Sequence, residues 1–219
     1  MSPFRALIFD FDGLILDTEG PEYQSWCEIY AEHGCELDFD LWATCIGTAD
    51  VLDPYAELER LLGRPIDREG IRVRRRARNQ ALLDELGPRP GVVAYLEQAR
   101  ERGMMLAVAS SSARPWVAGH LERLGLLPVF DALACADEVE MVKPDPALYL
   151  LALAKLGRGA AEALALEDSP NGVLAAKRAG LRCVAVPNDL TRRLSLDHAD
   201  RVLDSLAEVS LADLLAGLT

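Results

Sequence analysis

Lysine is nearly absent from this chain. Of its 23 basic residues only Lys143, Lys155 and Lys177 are lysines, which leaves twenty arginines, and 35 acids bring the formal net charge to −12. A field of that sign repels polyphosphate and anionic headgroups, which excludes a general nucleic-acid or anionic-membrane binder. An anionic ligand must therefore be drawn in by local charge. Long apolar runs are missing as well: LYLLALA at 148–154 is among the longest, far short of the ~20 residues that span a bilayer. No basic start leads into an apolar stretch of the secretory kind. These absences predict a soluble, cytoplasmic protein with no membrane or nucleic-acid partner, and a monomer by default. The five cysteines, Cys27, Cys35, Cys45, Cys135 and Cys183, are odd in number and form neither CxxC nor CxxxxC, so reduced thiols are expected rather than a disulfide framework or zinc site. Trp26, Trp42, Trp116, His33, His120 and His198 show no spacing that suggests a site. Packing is the expected use of the first two tryptophans.

What is present is a repeated strand-and-stop pattern. FRALIF at 4–9 is a short apolar strand ending at Asp10 and meeting Gly13. MLAVA at 105–109 stops at SSS, ALAL at 163–166 at EDSPNG, and RCVAV at 182–186 at PND. Helical patterns lie between them at about 92–102, 113–124, 146–156 and 172–179, several closed by glycine as helix C-termini favour. Short buried strands alternating with helices predict an α/β fold with a doubly wound parallel sheet. In such sheets ligands bind beyond the carboxyl ends of the strands. Asp10, Ser110, Glu167 and Asp168 all sit there.

Residues 15–86 break the alternation and read as successive helices at about 21–34, 39–46, 50–62 and 67–86. They predict a helical cap domain over 15–89 inserted into a core of 1–14 and 90–219, with LILDTEG as the outgoing hinge and LGPRPG at 86–91 as the return. The basic run RVRRRAR at 72–78 is not one stripe. At 100° per residue Arg72 and Arg76 share one side and Arg74 and Arg78 another, so pairing with nearby acids is expected over substrate recruitment.

Against the shortage of cations, IFDFDGLILDTE at 8–19 gathers four acids. Asp10 and Asp12 can face one pocket if the chain turns at Gly13, and Glu167 and Asp168 arrive at the same sheet edge. Clustered like charges raise one another's pKa unless a cation joins them. A hard divalent ion with oxygen ligands resolves the cluster, and Mg²⁺ is the expected one because it takes a few carboxylates together with substrate phosphate and water. Ser110 and Ser111 precede a helix whose N-terminus attracts an anion. Lys143 in VKPDP stands out in a chain so poor in lysine, as a compact point charge. Asp17 and Glu19 suit the start of the following helix at Gly20 or Pro21.

The order of IFDFDG, a serine after a later strand, a lysine later still and then ED resembles the haloacid dehalogenase (HAD) superfamily. DFDGLILDTE, VKPDP and EDSPNGVLAAKRAG are most similar to its subgroup with a helical cap, which includes β-phosphoglucomutase and many sugar-phosphate and nucleotide phosphatases. The resemblance implies an aspartyl-phosphate on Asp10 and proton transfer to and from the substrate by Asp12. It implies Mg²⁺ held by the Asp10 side chain, the Asp12 backbone carbonyl and Asp168, with Glu167 a ligand or close behind. Ser110, Ser111 and Lys143 would hold phosphoryl oxygens, and the partner would be a small phosphomonoester.

Within that superfamily the residues discriminate. Similar dehalogenases lack an acid at the position of Asp12, and similar phosphonatases need a cap lysine where residues 15–86 contain none. Similar mutases carry a phosphate-gripping arginine where Asp50 stands and a cap histidine where Glu22 stands. The expectation is a phosphatase, with a β-phosphoglucomutase-type mutase as the alternative. A phosphorylatable signalling or binding protein without turnover is less favoured, because receivers are about half this length, carry the acceptor aspartate on the third strand and have no helical insert.

Overall fold

The computed structural model describes residues 3–43 and 52–218, and the chain divides into two compact units, residues 1–16 with 87–219, and residues 17–86. The larger unit is built on six parallel strands: β1 (Ala6–Phe9), β2 (Met105–Ala109), β3 (Ala132–Ala134), β4 (Ala163–Glu167), β5 (Arg182–Ala185) and β6 (Arg201–Val202), in spatial order β3-β2-β1-β4-β5-β6. β1 is central, with Ile8 registered on Ala107 of β2 and Ala165 of β4. Every connection between these parallel neighbours is therefore a crossover.

The strands are short; β1 and β4 are buried at every residue and β2, β3 and β5 at all but their first, because both faces are covered, whereas β6 at the sheet edge is half-buried to exposed. Ala6 and Ile8, Ala107 and Ala109, and Ala163 and Ala165 pack in one cluster with Leu148, Tyr149 and Ala152 of a helix over Ala147–Leu156 and with Val173 and Ala176 of another over Pro170–Arg178. Alanines dominate the strand side of this layer, which lets the large Tyr149 reach the sheet. The sheet has two strands beyond those read from the sequence. β3 spans three residues and β6 only two, too short to show an alternating or continuous apolar pattern.

In chain order the helices are α1 (Glu19–Glu32), α2 (Phe39–Ala43), α3 (Pro54–Leu62) and α4 (Arg68–Asp84) in the smaller unit. In the larger one they are α5 (Val92–Glu101), α6 (Arg114–Arg123), α7 (Ala147–Leu156), α8 (Pro170–Arg178) and α9 (Leu211–Gly217). Gly103, Gly125, Gly157 and Gly180 follow α5 to α8 with positive φ, the terminating role expected of them. Among the described residues no helix is long and apolar enough to cross a membrane. Cys27, Cys35, Cys135 and Cys183 are free thiols; Cys45 lies outside the described residues.

The smaller unit explains its basic run. Arg75 pairs with Glu22 of α1 at 2.6 Å and its guanidinium lies 4.8 Å from the Trp26 ring, Arg78 pairs with Glu28 at 2.8 Å, and Arg74 reaches Glu32 at 3.4 Å. Arg74, Arg75 and Arg78 thus meet a row of acids on α1 and Arg72 pairs with Glu69 of its own helix, as the plainer reading of RVRRRAR expected. Of the three that reach α1 only Arg75 is substantially buried, so solvent screens the other pairs and they contribute little to stability. Asp17 accepts from the backbone N–H of Gly20 at 3.0 Å and Glu19 lies in the first turn of α1, so these two acids serve the helix start.

Candidate active site

The carboxyl end of β1 sets the site. The backbone N–H of Asp10 still donates to Leu166 O on β4 at 2.9 Å, so Asp10 continues the sheet ladder. The chain then turns back, with Ile15 N–H donating to Phe11 O and Gly13 N–H to Leu16 O. Gly13 makes this possible at φ +85°, and a Cβ there would lie 2.2 Å from Asp168 Oδ2. Both the backbone and the neighbouring carboxylate demand glycine. Gly13→Ala is expected to destabilise the protein by about 1–3 kcal/mol, read from urea unfolding at neutral pH. A change under ~0.5 kcal/mol, the size of an ordinary surface substitution, would show that the turn is looser than described.

Four of the expected residues meet in a buried cluster. Lys143 Nζ donates to Asp10 Oδ1 and, at 2.6 Å, to Glu167 Oε1. Glu167 Oε1 also accepts from the Tyr149 hydroxyl at 2.5 Å, and Glu167 Oε2 from the Asp168 backbone N–H at 3.2 Å. A Cβ at Gly172 would fall 1.9 Å from Glu167 Oε2, so the glycine of EDSPNG makes room for this carboxylate. Asp168 accepts from Asn188 Nδ2 at 2.8 Å. Carboxylate oxygens of Asp10, Glu167 and Asp168 lie within 4.8 Å of one another.

The electrostatics are unbalanced. Burial pushes the Asp10 carboxyl well above the usual carboxylate range; Lys143 opposes this, while Glu167 and Asp12 add to it. Burial alone would lower the Lys143 ammonium, but Asp10 and Glu167 outweigh it and hold Lys143 above its ordinary value. Three buried carboxylates thus face one ammonium. The excess negative charge and the all-oxygen donor set fit a hard divalent cation, and Asp10 and Asp168 could hold one directly with Glu167 beside them.

Asp12 is placed apart from this cluster. Its Oδ2 accepts from the hydroxyls of Ser110 at 3.1 Å and Ser112 at 2.7 Å, and its Oδ1 from Trp116 Nε1 at 2.9 Å. Ser110 is buried at the end of β2, its N–H bonded to Ala134 O of β3. Ser111 is exposed on the same loop.

Several side chains in this arrangement drew no attention in the sequence. Trp116, Ser112, Tyr149 and Asn188 each bond a carboxylate of the site. Arg89 donates to the carbonyls of Gly13, Val186 at 3.0 Å and Pro187 at 2.8 Å, tying the Asp10 loop to the end of β5. Ser112 and Asn188 carried the one available signal, since each follows a strand's carboxyl end. Trp116 carried none beyond its place in the first turn of α6.

Comparison with known proteins agrees with this geometry. The chain is 48% identical to YhcW of Bacillus subtilis (strain 168), provisionally named a phosphatase, over 96% of each chain. It is 33% identical to hexitol phosphatase B of Escherichia coli (strain K12), again over 96% of each. The crystal structure of a mutant CbbY from Rhodobacter sphaeroides in complex with xylulose-1,5-bisphosphate superposes with a TM-score of 0.75 at 33% identity, covering 96% of this chain and 99% of that one. The family described as haloacid dehalogenase-like hydrolase matches residues 7–186. A six-stranded parallel sheet with an acidic cluster at the carboxyl end of its first strand, matched by the family across most of its length, makes this chain a member of the haloacid dehalogenase-like hydrolases.

Proposed function

We propose that this hydrolase is a Mg²⁺-dependent phosphatase that cleaves a small phosphomonoester of the sugar-phosphate class through an aspartyl-phosphate on Asp10. The observation that carries the reading is the pairing of two unlike acids on one loop. Asp10 is buried against Lys143 and two further carboxylates, while Asp12, two residues on, is only partly buried and sits among hydroxyl donors.

The chemistry divides accordingly. A carboxylate oxygen of Asp10 attacks phosphorus as the bond from phosphorus to the alcohol oxygen breaks, and Asp12 gives that oxygen its proton. Water then attacks the same phosphorus, its proton passes to Asp12, and the bond to Asp10 breaks to release inorganic phosphate. Lys143 and Ser110, with Ser111 beside them, hold phosphoryl oxygens as charge spreads over them. Asp10 and Asp168, with the Asp12 backbone carbonyl and Glu167 in support, would hold Mg²⁺. The ion would neutralise charge between nucleophile and phosphate.

Names of the relatives, a hexitol phosphatase and a protein crystallised with a pentulose bisphosphate, support the sugar-phosphate class. The mutase reading is not favoured. Glu22, where similar mutases carry a cap histidine, is committed to Arg75 at 2.6 Å and Asn79 at 2.9 Å. Asp50 lies outside the described residues.

A phosphate-release screen over sugar phosphates and p-nitrophenyl phosphate tests the reading. With Mg²⁺ the protein is expected to release phosphate from at least one. Excess EDTA should lower the rate at least ~100-fold, and added Mg²⁺ should restore it, since a metal at a phosphoryl group is worth several kcal/mol. Undiminished turnover in EDTA rejects the metal; no release from any ester rejects the phosphatase. Rapid isomerisation of β-glucose 1-phosphate primed by a bisphosphate favours the mutase instead.

A further inference from the structure

Asp12 is gripped from a side that the phosphoryl-transfer scheme does not use. The indole Nε1 of Trp116 donates to Asp12 Oδ1 at 2.9 Å. An indole N–H is a donor only and cannot turn without moving the ring. That ring packs edge-on against His120, one helical turn further along α6, with centroids 4.3 Å apart at 72°. His120 is itself buried and lies 6.2 Å from the ring of Phe11, the residue before Asp12. Contact with the buried His120 therefore restrains the half-buried indole and the direction of its N–H.

The opposite oxygen, Oδ2, is held differently. Its donors are the hydroxyls of Ser110 and Ser112. A serine has a single proton to give. Ser110 Oγ accepts from the Ser112 backbone N–H at 3.0 Å, so its proton goes either to Asp12 or to an arriving phosphoryl oxygen. One carboxylate oxygen thus has a fixed partner, and the other has partners that can turn away.

We propose that Trp116 is the positioning residue for leaving-group protonation: it anchors Oδ1 so that Oδ2, released when Ser110 turns to the phosphoryl group and Ser112 turns away, faces the ester oxygen. This rests on the assignment of Asp12 as general acid above. In the step, the proton on Oδ2 passes to the ester oxygen, which keeps the electron pair of its breaking bond to phosphorus. Asp12 is left as the carboxylate. Oδ1 accepts the indole proton before and after the transfer, as carbonyl or as carboxylate oxygen, so the anchor persists throughout.

Leaving-group dependence separates positioning from general damage. p-Nitrophenolate departs without a proton, whereas the alkoxide of an alkyl phosphate needs one. kcat/KM reports only steps through loss of that group, before water attacks. Trp116→Phe keeps an aromatic ring, though a smaller one, and removes the N–H. It is expected to lower kcat/KM for 2-glycerophosphate about 10–100-fold, a share of the 10²–10⁴ a general acid supplies, and for p-nitrophenyl phosphate by less than ~3-fold. In an Asp12→Asn background the same change should add less than ~2-fold on the alkyl ester, because the two residues act as one unit. Equal losses on both esters, or full additivity with Asp12→Asn, overturn the proposal. Should the phenylalanine variant fold poorly, benzothienylalanine at 116, which exchanges N–H for sulfur in an otherwise similar ring, carries the same comparison. A wild type that releases phosphate from no ester of the sugar-phosphate screen brings down the phosphatase reading and this proposal with it; where 2-glycerophosphate is not cleaved, the sugar phosphate hydrolysed fastest serves as the alkyl ester. A wild type active on both isolates Trp116.

Discussion

Asp10→Asn is expected to abolish phosphate release, with kcat falling by about 10⁴-fold or more, on the order of what removing a nucleophile costs other covalent hydrolases. Asparagine has the shape of aspartate and its carbonyl can still accept from Lys143, so the loss is chemical. Stability provides the control. Burial raises the Asp10 carboxyl above its unfolded value, which for an aspartate is about 3.9. The stability of such a group is fully present below the unfolded pKa and is lost as pH rises through the folded one, because ionisation is then costlier in the native state. Removing the carboxylate removes that cost. Without Mg²⁺ at neutral pH the variant should therefore melt at or above the wild-type temperature, and its advantage should grow as pH is raised from about 4. With Mg²⁺ the order should invert if the ion binds as proposed, because the wild type would gain binding free energy that the variant largely forfeits. Residual activity above ~1% of wild type, given the losses typical of nucleophile removal, would remove Asp10 from the role of nucleophile. A strongly lowered melting temperature in the absence of metal would contradict the electrostatic account.

The sheet was legible because its strands announce themselves: ALIF, MLAVA, ALAL and RCVA are largely buried runs ended by acids, serines or proline, and alternation with helices leaves little choice but a parallel sheet. β3 and β6 were not, being three and two residues long and held in place by their neighbours rather than by their own pattern. The residues of the cluster were legible for a related reason. Asp10, Ser110, Glu167 and Asp168 fall at strand ends, so knowledge of the sheet alone brings them together. Lys143 lies in a loop and was visible chiefly because lysine is so scarce. What could not be read is which partner each acid takes. Trp116 is 104 residues from Asp12, and Lys143 is 133 from Asp10. Such pairs depend on how α6 and the 143–146 loop are carried past the sheet, and no local spacing encodes that. Of the four acids grouped from the sequence, Asp10, Glu167 and Asp168 lie together, whereas Asp12 takes hydroxyl and indole donors.

Lys143→Met should be the most destabilising single substitution at this edge, by about 3–5 kcal/mol in the absence of metal. Lys143 is almost wholly buried, as are its partners Asp10 and Glu167. Methionine fills the stem's volume but leaves two carboxylates in a dry site without their counter-ion. The contrast is with Arg100 and Asp131, paired at 2.9 Å but 39% and 31% exposed, where Arg100→Met should cost no more than about 1 kcal/mol. At ~2–4 °C per kcal/mol for a chain of this length, the lysine variant should melt roughly 6–20 °C lower. The pH dependence has a definite sign. Lys143 opposes the upward push on Asp10, so its removal lets Asp10 rise further and favours the protonated form. The deficit should thus be largest at neutral and alkaline pH and shrink as acidification supplies a proton to the orphaned Asp10 carboxylate. Lys143→Arg should not restore the wild type, since a planar fork cannot occupy a pocket shaped around a compact ammonium between two carboxylates. Thermal unfolding of the wild type and these three variants from pH 5 to 9, with metal chelated, decides the matter. A pH-independent loss would reduce Lys143 to a packing residue, and a loss no greater than that of Arg100→Met would mean that the buried cluster is stable without its only ammonium.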